Sequence, residues 1–219
     1  MPNNFRRALI FGGGPAPRLE WLKTLYRPGD CIVAADRGAL LAQSCDLKID
    51  YLLGDFDSLP QEDLKYWSTQ CKHLDKFPAD KDYSDLELAL RKVHTLGISE
   101  ALLAGALYGR LDHCLFNIIA ILQLADELGI KATLASENCQ INQANAPGHL
   151  QWQNCQEKLL SLMALDNSSV VSLTGCRWPL HEEALLRNST RGLSNVIVSD
   201  KAELTCHRGR VLAILSQKQ

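Results

Sequence analysis

The chain lacks the features that mark several large classes of protein. No apolar stretch approaches the roughly 20 residues that a membrane span needs, so we expect no membrane partner. Neither charge sign dominates, because the formal net charge is -2, and without a broad basic face nucleic acid is a poor candidate partner. The start, MPNNFRRALIFGGG, has no long apolar core and no small-residue cleavage site. We interpret it as a first strand and not as a signal peptide.

Cysteine spacing excludes two further classes. The eight cysteines contain no CxxC and no paired spacing, which argues against a zinc site or a disulfide framework. Most of them lie in apolar runs, as buried free thiols do in a reducing compartment. We therefore expect a cytoplasmic protein.

The first two-thirds of the chain alternate strand-like and helix-like runs. Helical patterns cover 84–96 and 112–128, and the second is so apolar that it predicts a buried helix. Such alternation favours a mainly parallel sheet with helices on both faces. The predicted strands are Ala8–Phe11, Cys31–Ala35, Tyr51–Leu53, Ala101–Ala104 and Ala132–Ala135.

The last third has a different pattern. Short runs with a period of two are separated by turn residues, and no long amphipathic helix is visible, which predicts an antiparallel β-sandwich. We place the domain boundary in 138–148, giving domains 1–140 and 141–219. The predicted strands are Leu159–Ala164, Val170–Thr174, Ser194–Ser199, Glu203–His207 and Val211–Leu215.

Aspartates in short turn-like segments of the first half give the strongest functional signal. Each segment follows an apolar run or opens a helix-like run. Carboxylates are costly to gather unless a cation compensates them, and an enzyme that holds Mg²⁺ and polyphosphate needs such a cluster. The residues are Asp36, Asp55, Asp57, Asp82, Asp85 and Asp112.

Two segments follow the first two predicted strands. IFGGGPAP matches neither GxGxxG nor the Walker A pattern. Its glycines, Gly13 and Gly14, indicate either a close approach of the backbone to phosphate or a tight turn. In AADRGA, Asp36 is either a ligand-binding group at the carboxyl end of a strand or a helix N-cap.

Two further segments carry pairs of aspartates. In GDFDS, if the chain stays extended, the side chains of Asp55 and Asp57 point to the same side. Two carboxylates at such a short distance need a metal ion or a proton to offset their repulsion. The alternative is a surface turn with solvated carboxylates. DKDYSDLE supplies more acidic groups than helix capping needs, so we expect a metal or substrate role for at least one.

The remaining segments leave alternatives open. Arg110 in GALYGRLDH either neutralises charge on a polyphosphate or pairs structurally with Asp112, and His113 is either a base or a hydrogen-bonded structural residue. Trp178 in CRWPL is either a stacking surface or a core residue. Ser194 and Asn195 either bind a heteroaromatic ligand or shape a turn.

Taken together and in order, these segments resemble the thiamine pyrophosphokinase family. The matching elements are GGGPAP, AADRGA, GDFDS, DKDYSDLE, GALYGRLDH, WPL and GLSN, and they run from residue 12 to 195. The resemblance implies a Rossmann-like α/β ATP-binding domain, a β-sandwich that binds thiamine, and a homodimer. It also implies Mg²⁺-assisted transfer of pyrophosphate from ATP to the hydroxyl of thiamine, giving thiamine diphosphate and AMP.

The resemblance also implies roles for individual positions. It implies metal ligands at Asp55, Asp57 and Asp82, and catalytic groups at Asp57, Asp82, Arg110 and Asp112. Asp112 and Asp82 both remain candidates for the group that accepts the hydroxyl proton. It implies substrate binding by Asp36, Asp85, His113, Trp178, Ser194 and Asn195. We also expect nucleotide contacts at Gly13, Gly14 and Gly109, with Arg37 as a phosphate contact added by this chain.

The chain departs from the family pattern at a few positions. Arg37 and Tyr108 stand where glycine is common, and Lys81 stands where glutamine is often seen. No carboxylate is lost, so only the details of phosphate contact are affected. Two rival functions are a sensor that binds thiamine or nucleotide without chemistry, and another Mg²⁺-dependent phosphotransferase or nucleotide hydrolase.

Overall fold

The structure, a computed structural model, describes residues 5–56, 61–78, 80 and 82–218, with the backbone alone for 61–64. The chain divides into two compact units, Met1–Glu137 and Asn138–Gln219. No helix in these described ranges combines the length and the apolar character that crossing a bilayer requires.

The first unit is built on a parallel sheet with the strand order β6-β5-β1-β2-β3-β4. Strands β1 to β3 are buried along their whole length, as expected when both faces of a parallel sheet are covered. The strands are β1 (Arg7–Phe11), β2 (Asp30–Ala35), β3 (Ile49–Gly54), β4 (Cys71–Lys76), β5 (Glu100–Ala104) and β6 (Lys131–Ala135).

Helices cover both faces of this sheet. Leu9, Ile32 and Leu52 point to one face, where they pack in one core with residues of α1, α2 and α3. Helix α4 packs on β2, β3 and α6. The helices are α1 (Leu19–Leu25), α2 (Gly38–Ser44), α3 (Gln61–Gln70), α4 (Asp85–Thr95), α5 (Leu111–Phe116) and α6 (Leu122–Glu127), with a π-helical turn, Asn117–Ile121, joining the last two.

The second unit is a sandwich of two antiparallel sheets, ordered β12-β9-β14-β7 and β11-β10-β13-β8. Alternate residues of both sheets, such as Leu162 and Leu204, meet in a single core. The strands are β7 (Cys139–Asn145), β8 (Gly148–Gln153), β9 (Leu159–Ala164), β10 (Ser168–Thr174), β11 (Leu180–Leu186), β12 (Asn195–Val196), β13 (Lys201–Arg208) and β14 (Arg210–Ser216).

The predicted fold class is confirmed, and the predicted strands of the first unit are present to within one or two residues. Strands β4, β7, β8 and β11 had no prediction, because their sequences are polar or mixed. The segment 138–148, in which we place the boundary, begins at the division between the two units and contains strand β7, which pairs with β14 over its whole length.

The prediction of a buried helix over 112–128 is wrong in its first half. No residue of α5 is buried, and Leu111 and Phe116 are 73% and 72% exposed. Burial begins only at Ile121 and Leu122. Apolar composition therefore predicted the helix correctly but not its environment.

Candidate active site

The carboxyl ends of β1 and β5 define where a ligand can bind. The chain adds β2, β3 and β4 on one side of β1 and places β5 on the other, so the strand order reverses between β1 and β5. Open α/β sheets bind ligands in the crevice beyond the carboxyl ends of the strands at this switch point. A cavity of about 580 Å³ lies there, within the usual size range for small-molecule sites.

Glycines let the loops around the cavity approach one another. Gly12 N–H donates to Ala104 O at 2.8 Å, and Gly14 N–H donates to Gly105 O at 3.2 Å. A Cβ on Gly14 would lie 2.3 Å from Gly105 O, so a side chain at this position would force the loops after β1 and β5 apart. The glycine-rich segment is thus a tight inter-loop contact and also a wall of the cavity.

A second close approach positions Asp36. A Cβ on Gly38 would lie 2.0 Å from Phe11 O, so α2 can begin this close to the end of β1 only with glycine there. Asp36 adopts φ +48 and donates its N–H to Leu53 O at 2.7 Å. Arg37, which is exposed, directly precedes α2 and makes no side-chain capping hydrogen bond, and the Asp36 carbonyl accepts from Ala39 N–H at 3.1 Å.

The acidic segment before α4 also reaches the cavity. Ser84 is the N-cap of α4, and its hydroxyl accepts from Glu87 N–H at 3.2 Å. Since a serine caps the helix, its acidic neighbours are not needed for capping. Asp85 lines the cavity, whereas Asp82 is exposed and is not part of the cavity wall.

The segment after β3 carries Asp55 at the carboxyl end of the strand. Asp55 is half-buried directly after β3. The extended continuation assumed from the sequence fails, because Phe56 adopts φ +59 and buries its ring. Asp57 lies outside the described residues. Within the described ranges, no three His, Cys, Asp or Glu side chains form a group that could hold a metal ion.

The loop after β5 contributes the basic group of the site. Arg110 and His113 line the cavity, as does Gly109, which adopts φ +86. Arg110 donates two hydrogen bonds to Asp112, Nε to Oδ1 at 3.1 Å and Nη2 to Oδ2 at 2.6 Å. These bonds hold the pKa of Asp112 below its ordinary value and raise the pKa of Arg110. The structural pair considered from the sequence is therefore present.

Sequence reasoning missed several residues of the cavity wall. Tyr83, Tyr108 and Asn117 line it, and Asn117 Nδ2 donates to Ala106 O at 2.8 Å, which fixes the loop that carries Arg110. Tyr83 follows Asp82 in DKDYSDLE, and Tyr108 lies two residues before Arg110 in GALYGRLDH. Their closeness in sequence to these charged residues was the signal that could have identified them as part of the cavity wall.

The second unit exposes an aromatic surface. Trp178 is 57% exposed, so the alternative assignment to the core is wrong, and Trp152 is buried instead. The Arg177 guanidinium lies 5.7 Å from the centre of the Trp178 ring. Ser194 is exposed and adopts φ +59, and its N–H donates to Ser161 Oγ at 2.9 Å.

Asn195 holds the backbone of Trp178 in place. The buried Asn195 side chain accepts from Trp178 N–H at 3.1 Å and donates to Trp178 O at 2.6 Å. Its Oδ1 also accepts from Val196 N–H at 2.9 Å. Of the two polar residues predicted beside the aromatic, Asn195 contacts the main chain of Trp178, whereas Ser194 bonds to Ser161.

Together, the fold and the site define a two-unit protein with a ligand-sized cavity at the switch point of a parallel sheet and an exposed tryptophan on a β-sandwich. Residues 22–134 match the family model described as thiamin pyrophosphokinase, catalytic domain. Residues 148–211 match thiamin pyrophosphokinase, vitamin B1 binding domain. The chain belongs to the thiamin pyrophosphokinase family.

Individual relatives agree with this assignment. The thiamine pyrophosphokinase of Bacillus subtilis is 24% identical over 209 residues, which are 94% of this chain and 97% of that protein. Its crystal structure superposes with a TM-score of 0.86 at 22% identity, covering 98% of this chain and all of that one. Thiamin pyrophosphokinase from Geobacillus thermodenitrificans gives 0.83 at 27% identity, covering 97% and 98%.

These matches confirm the family and the enzyme class predicted from the sequence. The activity of the chain is that of the family, transfer of pyrophosphate from ATP to thiamine.

Proposed function

We propose that the cavity at the β1–β5 switch point binds the phosphates of ATP and is where pyrophosphate transfer takes place. The observation that carries this proposal is that the cavity wall joins Gly13, Gly14, Asp36, Asp85 and Arg110, which come from four separate segments. A guanidinium suits phosphate, glycines leave room for it against the backbone, and carboxylates suit a metal or the cationic ring of thiamine.

Product analysis tests the reaction itself. Attack on the β-phosphorus of ATP releases AMP, so ATP and thiamine should give AMP and thiamine diphosphate in equal amounts. Formation of ADP or free pyrophosphate would instead support the rival phosphotransferase or hydrolase. Binding of both substrates without turnover would support the rival sensor.

We further propose that Mg²⁺ is held at this edge of the sheet by Asp55, Asp57 and Asp82. The donor set fits, because Mg²⁺ prefers oxygen ligands and is usually bound through one or two carboxylates and substrate phosphates. A cage made of protein groups alone is therefore not required. When bound, Mg²⁺ offsets the negative charge of the phosphates. Asp55 is half-buried directly after β3, at the carboxyl edge of the parallel sheet where the cavity also lies.

Asp57→Asn tests the metal site. We expect it to reduce turnover by at least about a hundredfold at saturating Mg²⁺, because a neutral amide is a poor ligand for a hard cation. The matched control is Asp80→Asn, which removes the same charge from an exposed position in the segment before α4. Near-normal turnover of Asp57→Asn, or equal losses in both variants, would remove Asp57 from the metal site. Circular dichroism would verify that both variants fold.

Arg110 is proposed to exchange partners during the reaction. In the structure its guanidinium pairs with Asp112, and both side chains are largely exposed, so the pair costs little to break. The same planar fork can bind two phosphate oxygens. Breaking the pair would also free Asp112, whose lowered pKa otherwise makes it a weak proton acceptor. Asp82 remains the second candidate for that step.

Thiamine is proposed to stack on Trp178. The thiazolium ring is cationic, and an exposed indole face attracts a cation. Ser194, which is exposed and directly precedes Asn195, is proposed to hydrogen-bond the ligand, whereas Asn195 acts by fixing the backbone of Trp178.

The homodimer implied by the resemblance is also a proposal. Its support is an apolar patch on α5 and the π-helical turn, which we call the α5 patch. A surface with this many exposed apolar side chains on one helix face usually mediates an interaction. The α5 patch consists of Leu111, Leu115, Phe116 and Ile119, each 48% to 73% exposed.

We propose that the protein works in the cytoplasm. All eight cysteines are free thiols. Burial raises the pKa of Cys31 to about 12 and that of Cys176 to about 11, so these thiols stay protonated and unreactive. A chain of this kind is suited to a reducing compartment.

A further inference from the structure

A cluster of arginines on the second unit has no role in the proposed reaction. It lines a concavity of about 540 Å³ formed by the β9–β10 turn, the end of β11 and the β13–β14 hairpin. Arg187, Arg208 and Arg210 line this concavity, against a single aspartate, Asp166. The lining is therefore positive in a chain whose formal net charge is -2.

The backbone that carries these arginines is held in place by hydrogen bonds. The buried Ser169 hydroxyl donates to Arg210 O at 2.7 Å, and Leu165 N–H donates to the same oxygen at 3.0 Å. Arg187 N–H donates to Asn167 O at 3.2 Å. Binding to a site that is already ordered loses less conformational entropy.

The hairpin turn itself has no spare room. Gly209 adopts φ +76, and a Cβ there would lie 2.8 Å from Ser169 Oγ and 3.1 Å from Asp166 Oδ2. The turn therefore packs directly on the β9–β10 turn, and the arginines on either side of Gly209 are fixed relative to Asp166.

Asp166 neutralises only part of the positive charge. Arg210 donates to Asp166 Oδ1 from Nη2 at 2.6 Å and from Nε at 3.1 Å. This pair lowers the pKa of Asp166, and Arg187 lowers it further through its charge. With Asp166 engaged by Arg210, the charges of Arg187 and Arg208 are the excess available to an anion.

The concavity is separate from the aromatic surface of the same unit. Strand β10 begins at Ser168 beside the arginines and ends at Thr174, near Trp178. A seven-residue strand spans about 20 Å. A ligand on the arginines therefore does not contact the Trp178 ring of the same chain.

We propose that this arginine concavity binds the pyrophosphate group of a small anion. Guanidinium forks match pairs of phosphate oxygens, and two excess charges suit a group with at least two negative charges. Inorganic pyrophosphate, ATP and thiamine diphosphate all carry that group. This site is independent of the proposed active site, because it uses none of the same residues.

Site-resolved NMR titration tests the proposal. Inorganic pyrophosphate is added to the full chain in metal-free, low-salt buffer, and the amide signals of Gly209 and Asn167 report the arginine concavity while those of Gly14 and Gly109 report the active site. We expect Arg187→Gln/Arg208→Gln to weaken binding at Gly209 by at least about tenfold and to leave binding at Gly14 unchanged. The matched control, Arg6→Gln/Lys65→Gln, removes the same charge from exposed positions of the first unit and should change neither.

Several outcomes would overturn the proposal. They are a Gly209 signal that does not saturate in the wild type, an unchanged affinity in the glutamine variant, or an equal loss in the control. Arg187→Lys/Arg208→Lys guards against misfolding, since it keeps the charge and should bind with intermediate affinity. Titrations with ATP and thiamine diphosphate identify the preferred carrier, and sulfate should bind more weakly than pyrophosphate. Failure of pyrophosphate transfer would not affect these signals.

Discussion

At Trp178 the side chain and the backbone have opposite environments. The ring is 57% exposed, but its N–H and carbonyl are both bound by the buried side chain of Asn195. An exposed ring normally samples several orientations, and fixing the main chain on both sides reduces that freedom. The residue is therefore suited to present a flat surface to a ligand.

Replacing Asn195 tests this arrangement. Asn195→Ala should raise the thiamine KM by roughly tenfold, equivalent to about 1.4 kcal/mol, with little change in the ATP KM. It should also destabilise the fold by about 1–3 kcal/mol, because buried backbone groups lose their partners. Steady-state kinetics and urea unfolding measure the two effects.

A double-variant comparison makes the test specific. If Asn195 acts through the ring, adding Asn195→Ala to Trp178→Ala should raise the thiamine KM no further. Fully additive effects, or equal increases in both substrate constants for Trp178→Ala, would contradict the stacking role.

The Arg110–Asp112 pair gives a second prediction at the residue scale. Because hydrogen bonds from Arg110 lower the pKa of Asp112, Arg110→Gln should raise that pKa toward its ordinary value. Carbon-13 NMR of the Asp112 carboxyl across acidic pH measures this shift. Saturating ATP should raise the pKa in the wild type as well, if Arg110 moves to phosphate. A pKa insensitive to both changes would show that the pair does not control Asp112.

The sign of the stability effect follows from the same shift. A carboxyl whose pKa is lowered by folding stabilises the fold above its unfolded-state pKa, and this contribution is lost as the pH falls through the lowered value. The pair is exposed, so solvent screening makes the contribution small. We expect the pair to matter for ligand binding more than for stability.

At the scale of elements, contacts between glycine-containing loops make the switch-point cavity possible. Gly14 meets the carbonyl of Gly105, and Gly38 meets the carbonyl of Phe11, at distances that no Cβ could share. These contacts bring the loops after β1 and β5 together and place α2 directly behind them. The chain therefore uses glycine here for close backbone approach, in addition to any contact with phosphate.

Gly14→Ala tests that role. The added methyl group must displace Gly105 O, which is a backbone atom, and we expect a loss of about 1–3 kcal/mol in the free energy of unfolding. Gly13→Ala is the matched control, since the nearest atom to its Cβ would be 3.5 Å away. Equal stability of the two variants in urea unfolding would contradict the inter-loop packing.

At the scale of the whole molecule, the sequence could not predict that the α5 patch is exposed. Its residues recur at helical spacing, so the pattern alone predicts burial within the chain. In the structure they are exposed. Association of two copies would remove the patch from water.

Phe116→Ser tests whether the α5 patch joins two copies. If it does, the variant should be monomeric at micromolar concentration while the wild type is dimeric, because an exposed aromatic is a frequent anchor of interfaces. Size-exclusion chromatography with light scattering gives the masses. Leu40→Ser, at an exposed leucine of α2, is the control and should remain dimeric. A monomeric wild type, or a dimeric Phe116→Ser, would rule this interface out.

The sequence by itself determined the alternation of strands and helices in the first unit, the antiparallel second half and the acidic, glycine-containing segments after the strands. Periodicity and turn residues are local signals, so strands such as β2 and β9 could be predicted from the residues within them. The family assignment also followed from local motifs. Polar β4, which has no alternating apolar pattern, could not be predicted in this way.

Only the tertiary structure decided which of these residues meet. The positive φ of Phe56 ended the extended pairing expected for Asp55 and Asp57, and α5 proved to be exposed. Trp178 was placed on the surface and Trp152 in the core. The main chain of Trp178, for example, is held by Asn195, which is distant in sequence. A local pattern specifies the type of an element, but its surroundings are set by contacts that form only when the chain folds.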